Sequence, residues 1–294
     1  MNNKPGLRPD LAVGEALRDV AHDILSDARA AIESPDNSDA VAVHEFRREM
    51  KRWRALLRLL EPFLGAESEG LHAAARDLAR ELGGARDPQS ALDALDDLKK
   101  HALPLKDRSI KTVRKRISDL RTAGETKALT SEMRLRIAEA LADAEVAVNR
   151  WPIGDLKFSD IAERLAASYR ASRRAVPDKW SDASPDALHE LRKHVVIHRY
   201  QMQIVQPLWK RFTKMWIAEA QKLRERLGRH QDLEVLRTLT GKGQPLASWH
   251  ARLDPPIAAR RRRHVAAAKK IAARLFVDKP GAFRRRLMVM WKTG

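Results

Sequence analysis

The sequence predicts an all-α protein, and three observations support that prediction. Only 13 glycines and 14 prolines occur among the 294 residues, so residues that interrupt helices are sparse. Apolar residues recur at spacings of three and four along nearly the whole chain, which is the period of an amphipathic helix. Alternating β-branched or aromatic runs bounded by turn residues, which would indicate strands, are nearly absent.

Helices in the first half are predicted wherever the three-and-four spacing continues between two breaks. The breaks are residues that favour turns: Asn37 with Ser38, Gly83 with Gly84, Pro104 and Gly124. The predicted helices cover residues 11–33, 40–63, 69–82, 90–102, 108–123 and 131–149.

The same rules divide the second half of the chain. Its predicted breaks lie at residues 151–154, Pro177, Gly228, residues 241–245 and Pro255 with Pro256. The predicted helices cover residues 159–174, 185–205, 207–227, 233–239, 257–276 and 280–291.

The two halves are related by an offset of 145 residues. Without a gap, this offset aligns Arg54 with Arg199, and it also aligns His44 with His189, Pro62 with Pro207, Gly83 with Gly228 and Asp87 with Asp232. Self-similarity at a fixed offset is the sequence signature of a repeat. We therefore predict a tandem duplication, with repeats at about 1–150 and 151–294 that each form a helical bundle. The two aligned aspartates each follow a glycine-containing turn, so they are predicted to begin helices as N-caps.

The charge of the chain is large and unevenly distributed. The chain has 57 Lys and Arg against 39 Asp and Glu, a formal net charge of +18. Residues 1–40 hold four basic and eight acidic side chains, whereas residues 251–294 hold 13 basic and two acidic ones. Such segregation predicts a polyanionic partner, and charge alone leaves nucleic acid, inorganic polyphosphate and an anionic membrane open.

The absence of cysteine excludes several kinds of site. With no cysteine in the sequence, disulfides, thiolate zinc sites, iron–sulfur clusters and cysteine nucleophiles cannot form. The first ten residues lack the apolar region of an export signal, and no stretch approaches about 18 uninterrupted apolar residues. We therefore expect a soluble protein of the cytoplasm.

One predicted helix concentrates cations on a single face. On a helical wheel, the face opposite Phe46, Trp53 and Leu57 carries six basic residues, which we call the first rail: His44, Arg47, Arg48, Lys51, Arg54 and Arg58. Neighbouring cations at these spacings repel each other, and a face that served only solubility would interleave glutamates. No acidic residue shares the face of the first rail, so we predict that this face binds an anion. Glu45 lies about 100° from the rail around the helix axis and could steer an arginine.

The equivalent helix of the second half carries a weaker set of cations, the second rail: His189, Arg192, Lys193, Arg199 and Tyr200. Because Val196 and Ile197 interrupt it, we expect it to contribute less. Cations on later helices are predicted to supplement it, namely Lys222, Arg226, Arg260 and Arg263. A bound phosphate favours the imidazolium form of His44 and His189, so binding is expected to tighten as the pH falls toward about 6.

Two short motifs recur in the two halves and precede a basic stretch near the end of the chain. His-x-x-Arg begins at His44 and His189, Leu-Gly-x-x-x-Asp begins at Leu82 and Leu227, and residues 279–291 form the basic stretch. In this order the motifs resemble the CHAD domain, the conserved histidine α-helical domain, and the similarity extends over essentially the whole chain.

The resemblance implies one domain over residues 1–294, made of two pseudo-symmetric four-helix bundles around a basic groove. It also implies binding of inorganic polyphosphate and association with polyphosphate granules in the cytoplasm. The residues that match the family's basic positions are His44, Arg47, Arg48, Lys51 and Arg54 in the first half and His189, Arg192, Lys193 and Arg199 in the second.

Sequence-nonspecific binding of RNA or another nucleic acid is the alternative to polyphosphate, because the same cations would contact nucleic-acid phosphates. Only 5% of the residues are aromatic, so platforms on which bases could stack are scarce. We therefore expect at most weak nucleic-acid binding, and no membrane partner.

Enzymatic activity is not expected from this sequence. It contains neither a glycine-rich phosphate loop nor an alternating Glu-x-Glu-x-Lys strand of the CYTH triphosphatase type, and the first rail holds no carboxylate for a metal ion. His194 and His198 have a spacing that can chelate a metal, but His198 lies on the apolar face of its helix and is better explained as a core residue. We therefore predict no catalytic residue, no metal and no cofactor.

Overall fold

The computed structural model describes residues 4–82, 86–101, 103–124 and 129–293, and within these ranges it contains helices and no strands. The all-α prediction is therefore confirmed. The α-helices are α1 Val13–Glu33, α2 Asp39–Leu64, α3 Ala66–Glu81, α4 Arg86–Lys99, α5 Asp107–Gly124, α6 Ser131–Arg150, α7 Phe158–Arg174, α8 Pro185–Ile204, α9 Lys210–Leu239, α10 His250–Leu275 and α11 Pro280–Thr293. Short 3₁₀ helices cover Gln206–Trp209 and Ala247–Trp249. None of the helices in these ranges has the length and apolarity needed to cross a bilayer.

The predicted break at Gly228 is wrong, because α9 continues through it. A glycine inside a helix costs only about 1 kcal/mol, and here the guanidinium of Arg192 packs over it: a Cβ on Gly228 would lie 3.5 Å from Arg192 Nε. Asp232 consequently lies within α9 rather than at a helix start, whereas Asp87 lies in the first turn of α4. The predicted break at Gly83 and Gly84 lies outside the described residues.

The predicted break at Pro255 and Pro256 is also wrong, because α10 begins at His250 and includes both prolines. A proline in a helix interior costs about 3 kcal/mol. Leu253 and Ile257 on either side are fully buried in the core, and burying a side chain of this size contributes about 1.5–3 kcal/mol. Tertiary packing therefore holds the helical conformation that the local sequence disfavours.

Two hydrophobic clusters form the interior. The larger one includes residues of both halves, and Trp53 of α2 stacks on Trp151 with ring centroids 5.8 Å apart. The smaller one joins α4, α5, α9 and α10, for example through Leu95, Val113 and Leu236. Helices at equivalent places make equivalent contacts, since α1 packs on α2 and α6 while α7 packs on α8 and α11. The internal pseudo-symmetry itself stays a prediction.

Helices α2 and α8 pack against each other and bring the two rails together. Gln201 Nε2 donates a hydrogen bond of 3.0 Å to the carbonyl oxygen of Ala55, and both residues are buried. The helices run antiparallel: Arg48 lies near Tyr200 on one side of the contact, and Arg58 lies near His194 on the other. The rails therefore meet where α2 and α8 touch.

The start of α1 packs closely on the segment that joins the two halves. A Cβ on Gly14 would lie 2.1 Å from the carbonyl oxygen of Ile153, so Gly14→Ala is expected to lower the free energy of unfolding by about 1–3 kcal/mol. Gly70→Ala on α3 is the matched control, because a Cβ there meets nothing within 4 Å and is expected to stabilise by about 0.5–1 kcal/mol. Urea denaturation measures both, and an unchanged unfolding midpoint for Gly14→Ala would contradict the close contact.

Candidate anion-binding surface

The first rail lies along α2 beside the end of α3. His44, Lys51 and Arg58 are exposed, whereas Arg47 is partly buried and its Nη1 donates to the carbonyl oxygen of Leu82 at 3.3 Å. Leu82 directly follows the last turn of α3, where helix carbonyls lack partners within the helix. The contact holds the Arg47 side chain against the end of α3.

The prediction that the first rail is free of acids is wrong at Arg48. Glu45 and the buried Glu49 both form ion pairs with its guanidinium, the latter at 2.8 Å. Burial by itself would lower the pKa of Arg48, but the hydrogen bond and charge of Glu49 outweigh it and raise that pKa. A long arginine side chain can reach around the helix to carboxylates that a helical wheel assigns to another face. The ion pair between Glu45 and Arg48 agrees with the steering role suggested for Glu45.

Arg54 has the opposite environment. Its Nε donates to His72 Nε2 of α3 at 3.5 Å, and no carboxylate of the described residues lies within ion-pair distance. Burial lowers the pKa of the Arg54 guanidinium, and the positive charges of Arg58 and Arg76 lower it further. The cation is therefore held partly desolvated among other cations, which is unfavourable until an anion arrives.

The beginning of the second rail is fixed by α9. His189 Nδ1 lies 2.8 Å from Gln231 Oε1, and Arg192 Nη1 donates to the same oxygen at 3.2 Å. Gln231 is not among the predicted site residues, although it directly precedes Asp232 of the recurring motif. Lys193 pairs instead with Glu190 at 2.8 Å on the surface.

Arg199 repeats the environment of Arg54, which it follows by 145 residues. Burial lowers the pKa of its guanidinium, and the charges of Arg224 and Arg52 add to this effect. Its guanidinium carbon lies 4.0 Å from the centroid of the Tyr200 ring, and none of the carboxylates in the described ranges pairs with it. Tyr200 was predicted as an anion-binding residue, but its ring is buried and instead supports Arg199.

The four supplementary cations have different environments. Arg263 is exposed and Arg226 is partly exposed, while Lys222 pairs with Glu219 at 2.8 Å. The prediction that Arg260 binds an anion is wrong: it is buried, and its Nε and Nη2 donate to both carboxylate oxygens of Asp97 at 2.6 and 2.7 Å. Arg260 lies on the stripe of α10 that faces α4 and α9, so it joins these helices.

The histidine pair that could chelate a metal does not face a common site. His198 is fully buried, Trp216 Nε1 donates to its Nε2 at 3.2 Å, and burial lowers its pKa to about 3. The prediction that His198 is a core residue is therefore confirmed. Within the described part of the chain, no group of three or more histidine, aspartate or glutamate residues is arranged to hold a metal ion.

Two clefts flank the contact between α2 and α8. The first cleft, between α2, α3, α7 and α8, has a volume of about 520 Å³. The second cleft, about 950 Å³, lies between α1, α2, α8 and the start of α9, and Arg48, Arg52, Arg199 and Lys210 line it. In the second cleft Arg52 is neutralised by Asp23, Asp27 and Glu49.

Comparison with known proteins agrees with this architecture. A solved structure, the CHAD domain from the plant Ricinus communis, is similar with a TM-score of 0.55 and 22% sequence identity, and the match covers 97% of this chain and 95% of that one. This likeness shows the fold. Among curated proteins no relative matches. The family model of the CHAD domain matches residues 15–240, and the chain therefore belongs to the CHAD domain family.

Proposed function

We propose that this protein binds inorganic polyphosphate through the two rails. One observation carries the proposal: Arg54 and Arg199, at equivalent positions of the two halves, both have a lowered pKa, and neither has a carboxylate partner among the described residues. Two partly buried guanidinium groups without counter-charges favour an external anion, because hydrogen bonds to charged oxygens are strong where water is partly excluded. The association of the CHAD family with polyphosphate supports the same ligand.

Polyphosphate fits the rails better than nucleic acid does. It carries a charge at every phosphate and has no base to read, so spaced arginine forks and lysine charges on rigid helices are sufficient to bind it. Binding of single-stranded RNA would also use exposed aromatic rings. The aromatic residue that belongs to the second rail, Tyr200, is buried and has Arg199 over its face.

We propose binding without catalysis. Phosphoryl transfer normally uses carboxylates that hold metal ions beside the phosphates. Two carboxylates beside the first rail, Glu45 and Glu49, are engaged by Arg48, and Glu49 is also engaged by Arg52. A binder of this kind would locate to polyphosphate granules in the cytoplasm.

A competition assay tests the proposed ligand. Labelled long-chain polyphosphate is bound to the protein at about 150 mM salt, where weak electrostatic binding is screened. Unlabelled polyphosphate, single-stranded RNA and duplex DNA are then added at equal phosphate concentration. Only polyphosphate is expected to displace the label, and displacement by RNA or DNA at the same concentration would overturn the proposal.

A further inference from the structure

We propose that the first cleft is a further site, next to the end of the first rail, for a compact anion of two or three adjacent phosphates, such as the end of an oligophosphate. The inference rests on the proposed function for the class of anion, but apart from Arg58 of the first rail it assigns residues that the rails do not include. Helices α2 and α3 of the first half form one wall, and α7 and α8 of the second half form the other. A volume of about 520 Å³ lies in the range of small-molecule sites.

Three arginines line this cleft: Arg58, Arg76 and Arg164. Arg164 Nη2 donates to the carbonyl oxygen of Arg58 at 3.4 Å, which connects α7 to α2. Its Nε is buried without a hydrogen-bond partner among the described residues, and neither Arg58 nor Arg164 forms an ion pair with a carboxylate in these ranges. These guanidinium groups are therefore available to phosphate oxygens.

The carboxylates of the first cleft do not neutralise these arginines. Glu61 and Glu69 line it, but neither makes an ion pair within the described ranges. Arg76 pairs with Asp77 at 3.2 Å, and both side chains are largely exposed, so this pair is weak in water. The arginines of the first cleft are therefore not held by its carboxylates, and a multivalent anion can pair with them.

The two clefts differ in the residues at equivalent positions. The offset of 145 residues pairs Asp23 with Ser168 and Glu49 with His194. In the second cleft, Asp23 and Glu49 neutralise Arg52. In the first cleft a hydroxyl and an imidazole stand at the equivalent positions. The acids at these two positions of the second cleft are therefore missing from the first.

His72 makes the first cleft sensitive to pH. Burial lowers the pKa of its imidazole, and the charges of Arg54, Arg58 and Arg76 lower it further, with only Glu61 opposing them. In the neutral form its Nε2 accepts the hydrogen bond of Arg54 Nε at 3.5 Å. A phosphate in the cleft favours the imidazolium, which no longer accepts from Arg54 and leaves that guanidinium for the anion.

His194, on the opposite wall of the first cleft, also has a lowered pKa. Burial lowers the pKa of its imidazole, the charges of Arg58 and Lys193 add to this effect, and Glu190 opposes it. Both imidazoles are therefore neutral at pH 7 in the empty cleft, and a bound anion raises both pKa values. Binding then takes up protons, so affinity increases as the pH falls through the raised pKa values of the occupied cleft.

Calorimetric titration with tripolyphosphate at pH 7.5 and pH 6.0 tests the site. Tripolyphosphate itself loses negative charge as the pH falls, so tighter binding at pH 6.0 must come from the protein. We expect the affinity to increase about tenfold, which corresponds to about 1.4 kcal/mol. His72→Gln with His194→Gln is expected to remove this increase, whereas weaker binding of the unaltered protein at pH 6.0 would overturn the role of the imidazoles.

A second pair of variants tests the location. Ser168→Asp with His194→Glu installs the acids found at the equivalent positions of the other half, and it is expected to weaken tripolyphosphate binding at least tenfold. Leu135→Glu with Val146→Glu adds the same charge on exposed positions of α6 and is expected to change affinity less than about threefold. Circular dichroism checks folding, and the histidine pair decides the question if the acidic pair does not fold.

The outcomes separate the two proposals. If the acidic pair binds tripolyphosphate as tightly as the unaltered protein does, or if the unaltered protein binds only long-chain polyphosphate, the cleft site is wrong while the proposed function stands. If long-chain polyphosphate does not bind the unaltered protein, the proposed function is wrong, and tripolyphosphate binding that responds to the cleft variants would then support the cleft alone.

Discussion

Replacing Arg54 and Arg199 together with glutamine is expected to weaken polyphosphate binding by about 100-fold or more. Each substitution removes a charged donor to phosphate, and hydrogen bonds to charged groups contribute about 1.5–3 kcal/mol each. The two residues lie on different helices, and neither holds a carboxylate of the described residues. Their removal therefore leaves no buried anion unpaired, and the free energy of unfolding is expected to change little.

The matched control removes two charges that are already paired. Lys193 and Lys222 form surface pairs with Glu190 and Glu219, both at 2.8 Å, so phosphate must compete with a local carboxylate for each of them. Replacing both lysines with glutamine is expected to weaken binding less than about fivefold. Fluorescence anisotropy with labelled polyphosphate measures both double variants, and equal losses would contradict the special role of the two unpaired arginines.

The fold could be predicted well from the sequence because the spacing of apolar residues decides where helices form. The errors occur where tertiary packing overrides a local signal. Gly228 is covered by Arg192, and Pro255 and Pro256 lie between Leu253 and Ile257, which are buried. Local sequence patterns show that a glycine or a proline disfavours a helix, but they do not show the tertiary burial that offsets this cost.

The candidate site could be predicted only in part. The cations of the two rails do lie on α2 and α8 as predicted, but a helical wheel ignores side-chain length and could not show that Arg48 pairs with Glu49. The burial of Arg260 could have been predicted, since it shares a helix stripe with the apolar Ile257 and Ala268. The clefts could not have been predicted from the sequence, because they depend on how helices such as α2, α3, α7 and α8 pack together.

Asp97→Asn is expected to lower the free energy of unfolding by about 3–5 kcal/mol, because breaking a buried ion pair leaves its partner uncompensated. Asp97 accepts hydrogen bonds from Arg260 and from His264 Nε2, the latter at 2.9 Å. Its side chain and that of Arg260 are each only 9% exposed. Asparagine keeps the shape but removes the charge that Arg260 requires. Urea denaturation at pH 7 measures the loss.

The effect of Asp97→Asn must depend on pH in a defined direction. Burial by itself would raise the pKa of Asp97, but the hydrogen bonds from Arg260 and His264 outweigh it and hold that pKa well below its usual range. A carboxylate whose pKa is lowered by folding stabilises the protein above its unfolded value, about 3.9, and loses this contribution as the pH falls further. The stability that Asp97 contributes over asparagine is therefore expected to shrink as the pH falls below about 4.

Replacing both Asp97 and Arg260 separates the net contribution of the ion pair to stability from the cost of leaving one partner unpaired. Asp97→Leu with Arg260→Met substitutes apolar side chains of similar size, and such replacements of buried ion pairs are often neutral or stabilising. We expect this double variant to recover most of the stability that Asp97→Asn loses. Recovery would mean that the pair fixes how α4 packs against α10, while hydrophobic burial stabilises the contact. A double variant as unstable as Asp97→Asn would show instead that the ion pair itself is a net source of stability.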